Sequence, residues 1–191
     1  MKNKFAIWIY IIGFLGCWYL LFESEIPGKI LMRNENIYTN GEVYERVWNA
    51  YDKLPEKVKE LVEEENYKIY VVDEMESDID GYITLGKTYF GFKTIKISNI
   101  DLYVERTTLH EYGHVLDDEL AIRFISESEE FMDIYLSEKE NFAVDDNHEY
   151  FTSTELEYFA SAFAEYILNP ERLKENTPRT YEFMENCINN L

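Results

Sequence analysis

The pattern of apolar and polar positions changes period several times along the chain, and each change marks an element. In "GEVYERVWNAYDKL", Val43, Val47, Ala50 and Leu54 recur at helical spacing and predict an amphipathic helix. Pro55 opens a second helix, "PEKVKELVEEE", because a proline at the first helical position gives up no bond it would have made. "YKIYVVDE" is β-branched and aromatic and predicts a strand. From Asp78 the period shortens. "DIDGYITLGKTYFGFKTIKIS" alternates around Gly81, Gly86 and Gly91, which predicts two or three short antiparallel strands joined by turns, the last leading into a helix. Downstream, "SEEFMDIYLSEKENF" is amphipathic and "DDNHEYFTST" reads as a polar loop. "TSTELEYFASAFAEYILN" is a helix apolar on most sides and therefore buried, with Thr152 and Glu155 fitting a capping box at its start. Pro170 begins a short helix, and "PRTYEFMENCINNL" forms the last. The order of elements is that of an α+β chain, mostly helical with a small mixed sheet.

The first residues follow a different logic. "MKNKFAIWIYIIGFLGCWYLLFESE" places Lys2 and Lys4 before an uncharged run of 18 residues, Phe5 to Phe22, closed by Glu23 and Glu25. A basic start and an acidic exit predict an N-terminus inside the cell and the remainder outside. Three outcomes compete: a cleaved signal peptide, a lipoprotein modified at Cys17, and a retained membrane anchor. No small-residue cleavage pattern is present, and Trp18 to Phe22 continue the apolar run beyond Cys17, so the length fits an anchor best. Residues 1–27 are thus a signal or anchor segment with the start of a linker, "ESEIPGKILMRNEN", broken at Pro27–Gly28. Residues 28–191 are the exported domain.

Charge narrows the partners. The chain of 191 residues carries a net charge of −20, and the exported part keeps it, because residues 1–27 hold two bases and two acids. Nucleic acid is excluded as a partner, since phosphate binding needs a basic face. With two cysteines, Cys17 and Cys187, and no CxxC pattern, there is no disulfide framework, and any metal must be held by nitrogen and oxygen.

The candidate chemistry lies in "TTLHEYGHVLDD". His110 and His114 are one helical turn apart and project from one face, with Glu111 beside them. H-E-x-x-H on a helix holds zinc and sets a carboxylate where it can take a proton from water. Gly113 costs helix propensity, and close approach of another backbone beneath the metal would be the reason to keep it. A catalytic zinc needs a third protein ligand. Leu120 occupies the position where a third histidine would make a metzincin, and the one other histidine is His148. The buried helix supplies carboxylates instead, because an acid there must be paired or bound to metal. Glu155, Glu157 and Glu165 are the candidates. Glu155 suits capping, and Glu157 shares a small and apolar face with Ser161, Ala164 and Leu168 that suits packing on the histidine helix, with Glu165 as the alternative.

"HEYGHVLDD" and "TELEYFASAFAEYILNPERLKENTPRTYEF" together resemble the catalytic domain of anthrax lethal factor and the small secreted bacterial Pro-Pro endopeptidases, from about Tyr103 to the end. The resemblance implies a zincin-like metallopeptidase with its sheet beside the histidine helix, Zn2+ held by His110, His114 and Glu157, Glu111 as the catalytic base, and Tyr150 as a donor to the oxyanion. Because proteases bind extended chains by strand pairing, a protein or peptide substrate is expected to pair with an edge strand just before the histidine helix, around Tyr89 to Ile97. The family offers both proline-flanked bonds of bacterial surface proteins and host signalling kinases as substrates, and a short exported chain matches the former. One position departs: Ser161 stands where the family carries a further glutamate, four residues after the ligand. Asp117 matches the family's H-x-x-D and reads either as a hydrogen-bond partner of a ligand imidazole or as a surface aspartate. Two rival readings remain: a catalytically retired, membrane-tethered binding module on the same fold, and a closed structural metal site with His148 as the fourth ligand.

Overall fold

A computed structural model describes residues 31–32, 37–39, 43–72, 75, 83–100, 103–121, 124–144 and 147–191. The N-terminal signal or anchor segment and Cys17 lie outside these. Among the described residues, no helix is long and apolar enough to cross a membrane.

The chain is α+β. Five short strands, β1 (Leu31–Met32), β2 (Ile37–Thr39), β3 (Lys68–Val72), β4 (Gly86–Tyr89) and β5 (Thr94–Ser98), form one mixed sheet in the order β1-β2-β3-β5-β4. β3 pairs in parallel with β2 and β5, while β1 pairs antiparallel with β2 and β4 antiparallel with β5. The segment read as linker therefore contributes a strand, β1. The alternating region holds one antiparallel hairpin, whose second strand also pairs in parallel with β3. Phe90–Phe92 form a single 3-10 turn between β4 and β5, closed by Lys93 at φ 46°. Only Tyr89, of the range expected to receive substrate, lies on the sheet edge, because Thr94 to Ile97 are paired on both sides.

Helices α1 (Tyr44–Lys53) and α2 (Glu56–Glu64) bury Val47, Ala50, Val58 and Val62. The sheet buries Ile69, Val71, Ile95 and Ile97, the alternate positions that a strand turns to one face. Against both lies the histidine helix α3 (Val104–Glu119). Its C-terminal end is tied to the sheet by an ion pair between Lys93 and Glu119. Two helices follow: α4 (Glu129–Glu138), capped by the Ser128 hydroxyl, and the short α5 (His148–Phe151), where a polar loop was expected. A residue with φ 53°, Asn147, starts α5 abruptly, and four helical residues leave almost no periodicity to read.

The helix α6 (Glu155–Leu168) is buried along its length from Tyr158 to Glu165. Its N-cap is Thr154, whose hydroxyl accepts from the Glu157 N–H at 3.2 Å. Thr152 instead donates to the His148 carbonyl at 2.8 Å and closes α5, so the helix is capped two residues later than expected, by the threonine half of the pattern alone. Both T-x-x-E pairs fit the pattern, and only the chain reversal at α5 selects between them. α7 (Pro170–Asn176) and α8 (Pro178–Asn189) complete the chain. The buried Glu138 carboxylate accepts from the backbone N–H groups of Arg179 and Thr180, holding α8 by its unpaired amides. Phe131, Phe159 and Phe183 pack together at this end, and Cys187 is buried beside Met184 and Ile188 on α8.

Two details govern where the site falls. A Cβ placed on Gly113 would sit 2.7 Å from the Ala160 Cα and 2.8 Å from its carbonyl oxygen, so α3 and α6 meet backbone to backbone. This is the packing reason expected for the glycine. Second, Asp117 is fully buried and accepts from the Ser126 N–H and hydroxyl, both at 2.7 Å. It is neither a surface residue nor a partner of a histidine: it anchors the 3-10 turn Ile125–Glu127 that follows α3.

Gly113→Ala should lower the thermal midpoint even though alanine gains about 1 kcal/mol of helix propensity, because overpacking against a backbone costs about 1–3 kcal/mol. A raised midpoint in a calorimetric scan would show that the helices separate freely. Burial raises the Asp117 carboxyl from 3.8 to about 6. The folded chain then keeps a proton that the unfolded chain has released, so this group's contribution to stability falls as pH rises across that window. Asp117→Asn removes the titration. Its stability relative to wild type, measured by denaturant unfolding, should rise between pH 4 and pH 7, and a constant difference would be the contrary result.

Candidate active site

The helix α3 presents His110 and His114 from successive turns toward the first turn of α6, where Glu157 lies at the third helical position. A glutamate there ordinarily turns back to the N-cap amide. Here it reaches across to the other helix. Its Oε2 lies 3.1 Å from His110 Nε2, and its Oε1 lies 3.7 Å from His114 Nε2. The three residues offer ligand atoms that all fall within 4.8 Å of one another.

The hydrogen bonding around this cluster leaves it short of a cation. His110 Nδ1 faces the buried Ser161 hydroxyl at 3.1 Å. When Nδ1–H donates to that hydroxyl, Nε2 presents a bare lone pair to Glu157 Oε2. That oxygen is buried and has no hydrogen-bond partner. Two acceptors facing each other without a proton between them is unfavourable unless a positive ion binds both. The donor set, two imidazoles and a carboxylate, is that of a three-ligand zinc site, and a tetrahedral ion with bonds of 2.0–2.1 Å needs its ligands about 3.3 Å apart. The two observed separations bracket that value.

Electrostatics prepare the same groups. Burial, reinforced by the neighbouring His110, depresses His114 from 6.5 to about 3, so its ring is neutral and free to bind metal across the physiological range. Burial works against ionisation of Glu157, but the two histidines and the Tyr150 hydroxyl overcome it and hold the carboxyl below its ordinary value. Glu111 is the opposite case. It is almost wholly buried, and burial raises it from 4.5 to about 7, with the neighbouring Glu157 carboxylate adding to the rise and the nearby His110 ring and Thr88 hydroxyl opposing it.

Tyr150, half exposed on α5, stands near enough for its hydroxyl to help hold the Glu157 carboxyl below its ordinary value, and so lies at the open side of the cluster. The structure thus brings together His110, His114, Glu157, Glu111 and Tyr150. It separates the other candidates. Glu165 is fully buried but paired with Arg106 and Arg172 and bonded by Asn169, which removes any need for a metal. Glu155 occupies the first turn of α6 and plays no capping role. His148 Nε2 meets the Lys139 carbonyl at 3.1 Å and stands outside the ligand group. Ser161, where a glutamate was expected, bonds a ligand imidazole with a neutral hydroxyl.

The sequence reading passed over four residues. Phe151 packs 5.8 Å from the His110 ring, and the Arg106 guanidinium lies 5.2 Å over Phe151. Gly86 and Thr88, on β4, both face Glu111. The period of two along β4 was the available signal for the last pair, since it puts both on the face opposite Lys87.

Comparisons with known proteins extend this picture. No curated protein sequence matches the chain. Among solved structures, it resembles the Pro-Pro endopeptidase PPEP-2 from Paenibacillus alvei, with a TM-score of 0.55 and 19% sequence identity, covering 79% of this chain and 96% of that one. The two share a zincin-like fold. A family model described as anthrax toxin lethal factor, N- and C-terminal domain, matches residues 79–187. That match begins well before Tyr103, so the likeness takes in the β4–β5 hairpin as well as the two helices that carry the cluster. Because it spans more than half of the chain, the protein belongs to the anthrax toxin lethal factor family.

Proposed function

We propose that this chain is a zinc-dependent metalloendopeptidase. The observation that carries the reading is the convergence of His110, His114 and Glu157, with a buried Glu157 oxygen that has no hydrogen-bond partner, beside the buried carboxylate of Glu111. His110, His114 and Glu157 would hold Zn2+. When bound, zinc supplies a Lewis acid that acidifies a water and polarises a carbonyl.

The remaining chemistry belongs to the chain. Glu111 takes the proton of the attacking water and returns it to the nitrogen of the leaving amine. A carboxyl near neutrality suits both transfers, and a cation close by would move it toward the base form. The Tyr150 O–H turns from Glu157 to donate to the oxyanion of the tetrahedral intermediate. Arg106 and Glu165 fix the α3–α6 pair behind the site without touching substrate. An extended peptide pairs with β4, whose outer edge has no neighbouring strand among the described residues.

The basic, apolar and acidic order of residues 1–27 supports action outside the cell, on exported proteins, with residues 28–191 as the catalytic domain. Preference for proline-flanked bonds is the substrate class that the structural relative's name offers. The retired binding module has no observation in its favour, because every expected position carries a competent side chain.

Purified protein should contain about one zinc per chain. Glu111→Gln should keep the metal and lose about 100-fold or more in peptide hydrolysis. A preparation that takes up no zinc would remove this reading. Tyr150→Phe should lower kcat by roughly 100-fold with metal content unchanged, while His148→Ala should retain both. If His148→Ala released the metal and Tyr150→Phe cleaved normally, the closed structural site would be correct. Profiling with a peptide library should give cleavage at proline-flanked bonds, and cleavage confined to other bonds would discard that preference.

A further inference from the structure

We infer that β4 positions the general base: the Thr88 hydroxyl orients the Glu111 carboxylate, and Gly86 is the gap that admits it. The inference rests on the peptidase reading for its catalytic meaning, but its structural content stands apart from it.

Register on the hairpin puts Gly86 opposite Ile97 and Thr88 opposite Ile95. Both isoleucines are fully buried, so Gly86 and Thr88 share the face of the sheet that looks onto α3. Thr88 Oγ1 donates to Glu111 Oε2 at 2.7 Å. The same hydroxyl stands 3.4 Å from the Glu111 carbonyl oxygen, so it spans the residue from backbone to carboxylate. Two positions earlier the strand runs directly over the other oxygen. A Cβ on Gly86 would overlap Glu111 Oε1 and come within 2.6 Å of Thr107 Cγ2 and 2.9 Å of Glu111 Cδ. Thr107 is one turn before Glu111 on α3, so the carboxylate is enclosed between its own helix and the strand.

A glutamate has three rotatable bonds, and a buried one with a single fixed oxygen has lost most of that freedom. With Oε2 held by Thr88 and Oε1 packed under Gly86, the carboxylate keeps one orientation. Since β4 is also the edge strand among the described residues, a peptide that pairs with it is placed in register with the base held on the strand's buried face. Thr88 is therefore a positioning residue, acting through Glu111 and not on substrate.

Thr88→Val keeps shape and strand preference and removes the donor. In the full-length, zinc-loaded chain it should lower kcat by roughly 10- to 100-fold with KM and zinc content unchanged. Thr88→Ser restores the hydroxyl and should recover most of the rate. A change confined to KM would make Thr88 a substrate contact and overturn the inference, as would a Thr88→Val enzyme with wild-type kcat. A second readout needs no turnover. The carboxyl 13C resonance of Glu111, assigned by its disappearance in Glu111→Gln, should shift in metal-free Thr88→Val and return in Thr88→Ser. An unmoved resonance overturns the inference even if the chain cleaves nothing. If the wild type proves inactive while the resonance behaves as expected, the peptidase reading fails and the orienting bond stands.

Discussion

The contact of Gly113 with the backbone of Ala160 sets the distance on which the rest of the structure depends. His110 lies three residues before Gly113, and Glu157 lies three residues before Ala160, so each ligand is about one helical turn from the point where the helices touch. No side chain separates the helices there. A larger residue on either would lengthen the gap between the His110 imidazole and the Glu157 carboxylate. Ser161, next to Ala160, uses the same closeness to reach the back of the His110 ring with a hydroxyl too short to span a wider crossing. The glycine thus weakens one helix locally and makes a two-helix site feasible.

Helix α6 contains two carboxylates removed from water in opposite ways. Glu165 is fully enclosed, and two guanidinium groups and an amide satisfy its oxygens. Glu157, two turns earlier, retains a buried oxygen with no partner. Leaving a buried carboxylate unsatisfied costs several kcal/mol in general, so the contrast separates an acid satisfied by the fold from one that is not, on a single element. Arg106 links the two regions, since it pairs with Glu165 and also lies over Phe151, which in turn packs on the His110 ring.

Much of the site was legible in the chain because it is written in helical periodicity. The spacing of His110 and His114 specifies a shared face, and the small track through Glu157, Ser161 and Ala164 specifies what can lie against it. These are local patterns, and helices obey them closely. The features that escaped are non-local or very short. The parallel pairing of β5 with β3 joins segments separated by a long connection, and no period within either strand records it. Asp117 finds Ser126 across a turn, so its neighbours in sequence describe it as a surface residue. Two overlapping T-x-x-E patterns compete at the start of α6, and the reversal at Asn147 decides between them. Thr88 looked like one alternating strand residue among several until the register placed it on Glu111.

The burial of Cys187 has a consequence of its own. Enclosed on α8, its thiol is raised from 9.0 to about 12, so almost none is present as thiolate at neutral pH. Exchange with disulfides and oxidation both proceed through the thiolate. Among the described residues it is the one free cysteine, and it is chemically quiet. Among the described residues the fold therefore presents no reactive thiol and relies on no disulfide.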